Sequence, residues 1–254
     1  MLDFAVRMAK KAGKIHLKYF RKLKSVKYKG YVTNLVTNAD LEAEKMIKAM
    51  INKKYPSHGI LAEESLGENI KNEYRWIIDP LDGTVNYAHG FPLFCVSIAL
   101  QRKGKTIVGV VYSALLDELF TAEAGRGAFL NGKRIKVSPV KELEKAFLAT
   151  GFPYTLHQNP GNQYEWFNRF CRRAQAVRRG GSASLDLCYV ACGIFDGFWE
   201  KELKPWDTAA AELIVVEAGG RVSDYSGRKF DNFGDEISAS NGKIHAAMLA
   251  ILKR

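Results

Sequence analysis

Apolar residues recur at helical spacing near the start of the chain. Positions 4, 8, 12, 15 and 19 fall on one face of a 3.6-residue period, which predicts an amphipathic helix that gives way near Ser25. Thr37-Asn38-Ala39-Asp40 is typical of a helix cap, and it predicts a second helix to about Lys54, closed by Pro56. The first part of the chain therefore predicts two helices joined by an extended, lysine-rich stretch.

The pattern then changes to short apolar runs. Trp76-Ile77-Ile78, bounded by charge and proline, is typical of a buried strand, and Asn131-Gly132 predicts a hairpin turn. Gly219-Gly220 predicts the end of a helix. The further strands are predicted at Phe94–Leu100, Ile107–Tyr112 and Phe195–Glu200, and the further helices at Tyr164–Ala174, Ser184–Gly193 and Asp207–Ala218.

Helices and strands alternate through the whole chain. This alternation predicts an α/β (α+β) protein made of stacked layers of helix and sheet. The stretch from Ser138 to Glu144 is the only plausible boundary between two halves of the chain in this sequence. We therefore predict an N-terminal half, residues 1–138, and a C-terminal half, residues 139–254, packed as a single compact unit.

Composition narrows the class of protein. The chain has 254 residues, 47% of them hydrophobic, which is enough for a large core. No apolar run approaches the ~20 residues of a membrane helix, and the first apolar stretch is too short for a secretory signal, so we expect a cytoplasmic protein without a membrane partner. Its four cysteines form no Cys-x-x-Cys pair, and its five histidines are scattered, so we expect reduced thiols and no zinc site.

The formal net charge of +11 is concentrated between residues 7 and 29. Such a cluster suits a nucleic-acid footprint. The same lysines, however, fall between the apolar positions of the first predicted helix, where a charged run is usually the solvent-facing side. We favour the solvent-facing interpretation and keep nucleic-acid binding as the alternative.

Two acidic residues directly follow the predicted buried strand, in the run Asp79-Pro80-Leu81-Asp82-Gly83-Thr84. The strand fixes the first acid, and the proline stiffens a turn that lets the second curl back toward the same pocket. Unpaired carboxylates at that range repel each other, and a divalent cation resolves the conflict. Carboxylates together with a backbone carbonyl, here that of Leu81, are ligands that Mg²⁺ or Ca²⁺ prefers. Gly83 and a helix opening at Thr84 also suit a phosphate.

Each acidic segment also has a simpler interpretation. The run after the strand is compatible with a plain surface turn. The Glu63-Glu64 pair is compatible with solvated side chains, and Asp207 at the start of a predicted helix is compatible with an N-cap. The presence of all three segments in one chain favours a shared site over three unrelated features.

These segments stand in a fixed order, together with several others. They are Glu63-Glu64, Asp79 to Thr84, Gly127-Ala128-Phe129, Asn131-Gly132, Arg179-Gly180-Gly181-Ser182-Ala183, Trp206-Asp207-Thr208-Ala209-Ala210-Ala211 and Glu217-Ala218-Gly219-Gly220. In this order and at these separations, over nearly the whole chain, they resemble the inositol monophosphatase family. The full set is far more specific than any one of its short motifs.

The resemblance implies a metal site. The implied ligands of two to three Mg²⁺ ions are Glu63, Asp79, Asp82, Asp207 and the carbonyl of Leu81. Thr84 and Glu63 would orient the attacking water, and Asp40 would support them. Glu64 would then be a structural residue.

The resemblance also implies how substrate is held. The implied substrate contacts are Asp82, Gly83, Thr84, Arg178, Gly181, Ser182, Ala183, Glu200 and Asp207. The backbone of Gly83 and Thr84 would bind the phosphate, and the segment at 181–183 with Glu200 would contact the alcohol. Most metal ligands would belong to the N-terminal half, and the C-terminal half would add Asp207.

The fold and activity implied are those of the family: a layered α/β/α/β/α sandwich, often a homodimer, that hydrolyses a small phosphate monoester and is sensitive to lithium. Inositol monophosphate is the first substrate expected. Fructose 1,6-bisphosphate is an alternative, whose second phosphate would need cations such as Arg172, Arg173, Arg178, Arg179, Lys201 or Lys204. A nucleic-acid-associated regulatory protein on the same fold is the alternative from another class.

Overall fold

The structure is a computed structural model that describes residues 1–23, 26–29, 31–65 and 72–253. The helices in these ranges are α1 (Leu2–Tyr19), α2 (Asn38–Lys54), α3 (Thr84–Ala88), α4 (Gln163–Cys171), α5 (Ala183–Ala191), α6 (Pro205–Glu217) and α7 (His245–Leu252). None of the helices in these ranges has the length and apolar content of a membrane span.

Half of the strands in the described residues belong to a seven-stranded sheet. Its strands, in spatial order, are β3 (Gly59–Ala62), β4 (Tyr74–Asp82), β5 (Cys95–Arg102), β6 (Lys105–Ser113), β7 (Glu118–Glu123), β8 (Gly127–Leu130) and β9 (Lys133–Arg134). Only β3 and β4 pair in parallel, and the rest form an antiparallel meander. β1 (Val26–Lys29) and β2 (Tyr31–Thr37) form a separate antiparallel pair.

A second, five-stranded sheet is built from the later part of the chain. Its strands are β10 (Phe147–Thr150), β11 (Ala176–Arg178), β12 (Gly197–Lys201), β13 (Arg221–Ser223) and β14 (Glu236–Ser240), in the spatial order β11-β10-β12-β14-β13. The strands β11, β10 and β12 are parallel, whereas β14 pairs antiparallel with both β12 and β13.

Helices separate and cover the two sheets. α1 and α2 pack on the outer face of the large sheet, α5 and α6 lie between the sheets, and α4 and α7 cover the small sheet from outside. Three buried apolar clusters fill the boundaries between helices and sheets, and the cluster around the central helices contains residues of both sheets. The order is helix, sheet, helix, sheet, helix, which confirms the predicted α/β/α/β/α sandwich.

The main predicted elements are present. Thr37 caps α2, β4 is buried from Trp76 to its end, and Asn131-Gly132 forms the turn between β8 and β9 with positive φ at both residues. Several boundaries differ by a few residues; the fourth helix, for example, ends at Cys171 rather than at Ala174. Two of the differences have a clear local cause. α1 ends at Tyr19 rather than near Ser25, a position outside the described residues, because the backbone leaves the helical conformation at Phe20, with ψ 124°.

The second boundary with a local cause is the start of α6. It begins at Pro205, two residues before the predicted start, because a proline fits the first helical turn, where no N–H is needed. Asp207 therefore lies inside the first turn of α6. The division of the chain at residue 138 stays a proposal: the strands of the large sheet precede it, but α6 from the second half packs on that same sheet.

α6 approaches the large sheet closely at one glycine. A Cβ built on Gly109 of β6 would lie 2.4 Å from the carbonyl oxygen of Ala210. Real Cβ atoms do not come that near a backbone oxygen, so the helix sits at its present height because residue 109 has no side chain. The first turn of the same helix carries Asp207.

Gly109→Ala should therefore push α6 away from the sheet. We expect the free energy of unfolding to fall by about 1–3 kcal/mol, the usual range for overpacking a core. Urea unfolding followed by circular dichroism measures this change. Val216→Ala, on the exposed face of the same helix, is the matched control and should stay within about 0.5 kcal/mol of the parent. Equal stability of the two variants would contradict the close-approach argument.

Candidate active site

A cavity of about 420 Å³ opens where β4, α5, α6 and the loop after β10 meet. Among its lining residues are four acidic side chains, those of Glu63, Asp79, Asp82 and Asp207, together with Leu81. The acids come from three separate stretches of the chain. The structure thus places every predicted metal ligand around one space.

A bulge in β4 brings the first two acids to the same side. Asp79 is paired with Ser97 and Asp82 with Cys95, so two residues of β4 face one residue of β5. In a regular strand, residues three apart point to opposite faces. The extra residue in the bulge cancels that alternation, and both carboxylates line the cavity.

The remaining two acids lie just after β3 and in the first turn of α6. Glu63 directly follows β3, and its N–H donates to the carbonyl of Ile78 at 3.2 Å, which extends the parallel pairing with β4 to the cavity. Asp207 lies in the first turn of α6, where its carboxylate accepts from the N–H of Lys204 at 2.6 Å. The N-cap of α6 is Lys204, so the N-cap interpretation of Asp207 is wrong; Asp207 is the third helical residue, and its carboxylate accepts from the backbone of the N-cap.

Hydrogen bonds hold the two carboxylates of the acidic loop. Asp79 Oδ1 accepts from the N–H of Leu81 at 2.9 Å. Asp82 Oδ2 accepts from the hydroxyl of Ser182 at 2.7 Å and from the N–H of Ser184 at 2.8 Å, at the start of α5. The segment at 182–184 thus locks a carboxylate of the large sheet to the central helix layer.

Thr84 and Asp40 form a buried pair next to the acids. The single hydroxyl hydrogen of Thr84 faces two acceptors, Asp40 Oδ1 at 3.1 Å and the Leu81 carbonyl at 2.9 Å. The other oxygen of Asp40 accepts from the N–H and hydroxyl of Thr37, which caps α2. Burial raises the pKa of Asp40 to about 6. The cap of one helix therefore also orients a hydroxyl in the cavity.

The acidic cluster is electrostatically strained. Burial, followed by the charges of Glu63, Asp82 and Asp207, raises the pKa of Asp79 well above its usual range. Burial and the nearby acids do the same for Asp207, and burial raises the pKa of Asp82 to about 6. Several carboxylates therefore compete to stay ionised in one small space, which is the condition that a divalent cation relieves.

The donor set fits a hard cation. It consists only of carboxylate oxygens and one carbonyl, with no thiolate or imidazole among the predicted ligands, and these are the ligands of Mg²⁺. Among the described residues, no group of three or more His, Cys, Asp or Glu side chains already has the arrangement of a metal site.

The predicted substrate residues line the same cavity, with one exception. Gly83, Gly181, Ser182, Ala183 and Glu200 all line the cavity. Gly83 has φ 87°, and a Cβ there would lie 2.8 Å from the carbonyl of Leu93, so only glycine fits this turn. Burial raises the pKa of the Glu200 carboxyl well above its usual range, although the charge of Arg179 opposes the shift.

The exception is Arg178. Its side chain is exposed and lies over the ring of Phe147, outside the cavity, whereas the next residue, Arg179, lines the cavity. Arg178 ends β11, and side chains alternate along a strand, so neighbouring arginines point different ways. We therefore expect Arg179, rather than Arg178, to contact the substrate.

The other cations proposed for a second phosphate are divided between two places. Lys201 and Lys204 line the cavity. Arg172 and Arg173 instead border a separate cleft with Arg169, so the structure removes them from the substrate site.

Sequence reasoning missed some lining residues. Tyr154 and Phe152, in the loop after β10, border the acids, and burial together with the charge of Asp207 and the other acids raises the pKa of the tyrosine hydroxyl. No motif marks this loop. Glu64 was expected to be structural, and it does not line the cavity; its N–H donates to buried Glu44 at 2.8 Å.

Comparison with known proteins identifies the family of the chain. The profile of the inositol monophosphatase family matches residues 1–254. An inositol-1-monophosphatase from Synechocystis is 44% identical over 246 residues, covering 96% of this chain and 85% of that protein. The Nus factor SuhB of Escherichia coli K12 is 44% identical over 255 residues, covering 100% of this chain and 96% of that protein.

A solved structure agrees with the sequence relatives. The extragenic suppressor protein suhB from Bartonella henselae has a TM-score of 0.94 at 41% sequence identity and covers 99% of this chain and 98% of its own. The family is generally metal-dependent, in keeping with the carboxylate-lined cavity. The chain therefore belongs to the inositol monophosphatase family and is a phosphatase.

Proposed function

We propose that this phosphatase hydrolyses a small phosphate monoester, with inositol-1-phosphate as the first substrate and Mg²⁺ as the cofactor. The observation that carries the proposal is the convergence on one cavity of the carboxylates of Glu63, Asp79, Asp82 and Asp207 and of Thr84, whose hydroxyl contacts buried Asp40. Further polar groups of the cavity, including Ser182 and Glu200, suit the hydroxyls of a polyol.

The proposed ligands of two to three Mg²⁺ ions are Glu63, Asp79, Asp82, Asp207 and the carbonyl of Leu81. When bound, Mg²⁺ would neutralise the negative charge that develops on the phosphoryl and leaving oxygens, which is the main barrier in phosphate monoester hydrolysis. Burial already disfavours the ionised forms of the carboxylates in this cavity, and the positive charge of the ions would offset that cost.

Thr84 and Asp40 would position the attacking water. Because the hydroxyl hydrogen of Thr84 is directed at Asp40 Oδ1 and the Leu81 carbonyl, the oxygen of Thr84 is left to accept a hydrogen from water. A carboxyl with a pKa of about 6, such as Asp40, suits transfer of that proton near neutral pH. Glu63 would fix the water from the other side. This scheme needs no phosphorylated enzyme intermediate.

Fructose 1,6-bisphosphate is the alternative substrate. Its second phosphate needs a cationic partner, and Arg179, Lys201 and Lys204 at the cavity supply three candidates. Inhibition by lithium, a homodimeric assembly and a cytoplasmic location also belong to the proposal, because they follow from the family resemblance alone.

A nucleic-acid-associated role is the second candidate function. Relatives that match this chain over its full length carry the name Nus factor SuhB. The observation on this chain that favours such a role is the row of lysines at positions 10, 11, 14 and 18 of α1, all exposed. Lys18 is partly neutralised by Glu42 at 2.9 Å.

Phosphate release from purified protein tests the main proposal. With Mg²⁺ we expect turnover of inositol-1-phosphate, and without it we expect none. Fructose 1,6-bisphosphate and a phosphorylated adenosine nucleotide complete the panel, and the order of their kcat/KM values assigns the substrate. Turnover that persists after complete removal of divalent metal would contradict the proposed mechanism.

Asp82→Asn should reduce kcat by at least ~100-fold. Losing a residue that only orients a metal ligand costs up to about 100-fold, and losing a proposed ligand should cost at least as much. The fold should survive, because an amide oxygen still accepts from Ser182 and Ser184, and removing a charge relieves repulsion. Asp231→Asn, an exposed aspartate outside the cavity, is the matched control. Near-normal activity of the Asp82 variant would refute the role of this carboxylate.

Arg178→Ala and Arg179→Ala separate the two versions of the substrate site. The family resemblance predicts the larger loss at Arg178, whereas the cavity predicts it at Arg179. We expect Arg179→Ala to lower kcat/KM for a bisphosphate by about 10- to 100-fold, the effect of losing one hydrogen bond to a charged group. A larger loss for the Arg178 variant would show that the side chain reaches the substrate after all.

Salt dependence tests the second candidate function. Electrostatic binding of an RNA oligonucleotide should weaken steeply between about 50 and 200 mM salt. Charge reversal of Lys10 and Lys14 should weaken it further if α1 is the binding face. Weak binding that does not change with salt would dismiss the nucleic-acid role.

A further inference from the structure

The ring of His16 reaches from α1 to the acidic loop. Its Nε2 lies 2.8 Å from the carbonyl oxygen of Pro80, and the side chain is fully buried. A carbonyl oxygen only accepts, so Nε2 carries the hydrogen and donates it. The other ring nitrogen, Nδ1, is buried without a hydrogen-bond partner among the described residues, which suits an unprotonated nitrogen. Burial also lowers the pKa of His16 to about 4, so the ring is neutral at physiological pH.

This hydrogen bond acts on one particular peptide group. The carbonyl of Pro80 and the N–H of Leu81 belong to the same planar, trans peptide, so they point in opposite directions. His16 holds the carbonyl end, and the N–H end donates to Asp79 Oδ1 at 2.9 Å. Fixing one end of the plane therefore aims the other end at the carboxylate.

The same residue of α1 also anchors the far side of the loop. The hydroxyl of Tyr87, on α3, donates to the backbone carbonyl of His16 at 2.6 Å. The rings of Tyr87 and Phe94 pack edge-on around the imidazole, at centroid distances of 6.1 and 6.0 Å. One residue thus connects α1 both to the run from Asp79 to Thr84, at Pro80, and to α3, which follows that run.

We propose that His16 is a positioning residue for the metal ligands, which sets the Pro80–Leu81 peptide so that Asp79 is held in the orientation needed to bind Mg²⁺. The inference rests on the proposed function. His16 contacts neither substrate nor ligand oxygen, and it acts only through the Pro80 carbonyl. A partner of this kind behaves like the outer hydrogen bonds that orient the ligands of other metal sites.

His16→Leu removes the donor and keeps the ring's place filled with apolar atoms. We expect the dissociation constant for Mg²⁺, measured by calorimetry on metal-free protein, to rise by about 10-fold. The Mg²⁺ concentration needed for half-maximal phosphate release should rise in parallel, while KM for the substrate at saturating Mg²⁺ stays unchanged. If His16→Leu does not fold, His16→Met takes its place with the same expectation.

His16→Gln should restore most of the Mg²⁺ affinity, because the glutamine amide nitrogen stands as many bonds from the backbone as Nε2 and also donates. His245→Leu is the matched control. His245 is equally buried, but it contacts Ser223 and Ser240 at the small sheet, so its loss should lower thermal stability and leave Mg²⁺ affinity unchanged.

The outcomes separate this inference from the proposed function. If the parent protein neither binds Mg²⁺ nor needs it for phosphate release, the proposed function fails and the inference fails with it. If the parent binds Mg²⁺ and His16→Leu binds it equally well, only the inference is overturned. A His16→Gln variant as weak as His16→Leu also overturns it, because the donor would then be irrelevant.

Discussion

The structure is organised around the burial of several carboxylates beside one another. Burial and mutual repulsion raise the pKa of Asp79 and Asp207, so this arrangement opposes folding unless other groups stabilise it. The hydrogen bonds from Leu81, Ser182 and the backbone at 184 supply part of that stabilisation. A divalent cation, the cofactor proposed for this cavity, would relieve the rest of the repulsion.

The five-layer fold makes this convergence possible. The large sheet delivers two acids through a bulge at the end of β4 and a third from the end of the neighbouring β3. The central helices supply the rest, because α5 begins at the partners of Asp82 and α6 begins with the turn that holds Asp207. Close packing of α6 on Gly109 links the position of that last acid to the core.

In the proposed mechanism, different residues of the cavity serve the reaction and the substrate. The acids and the Asp40–Thr84 pair would carry the phosphate chemistry, whereas Arg179, Glu200 and Ser182 would contact the rest of the substrate. Relatives of about equal identity are named inositol-1-monophosphatase and Nus factor SuhB. Membership of the family therefore supports phosphatase activity without identifying one substrate, because the choice of substrate depends on the residues of the site rather than on the fold.

The layered fold, the acidic loop and the order of the motifs could be predicted from the amino-acid sequence, because hydrophobic period, turn residues and short motifs are local properties of the chain. Packing of the folded chain was needed to show that the acids share one cavity, that Arg179 rather than Arg178 lines it, and that Arg172 and Arg173 lie elsewhere. It also revealed His16, which looks like an ordinary helix residue until α1 packs against Pro80. Side-chain direction and contacts between distant segments depend on packing, which no local pattern encodes.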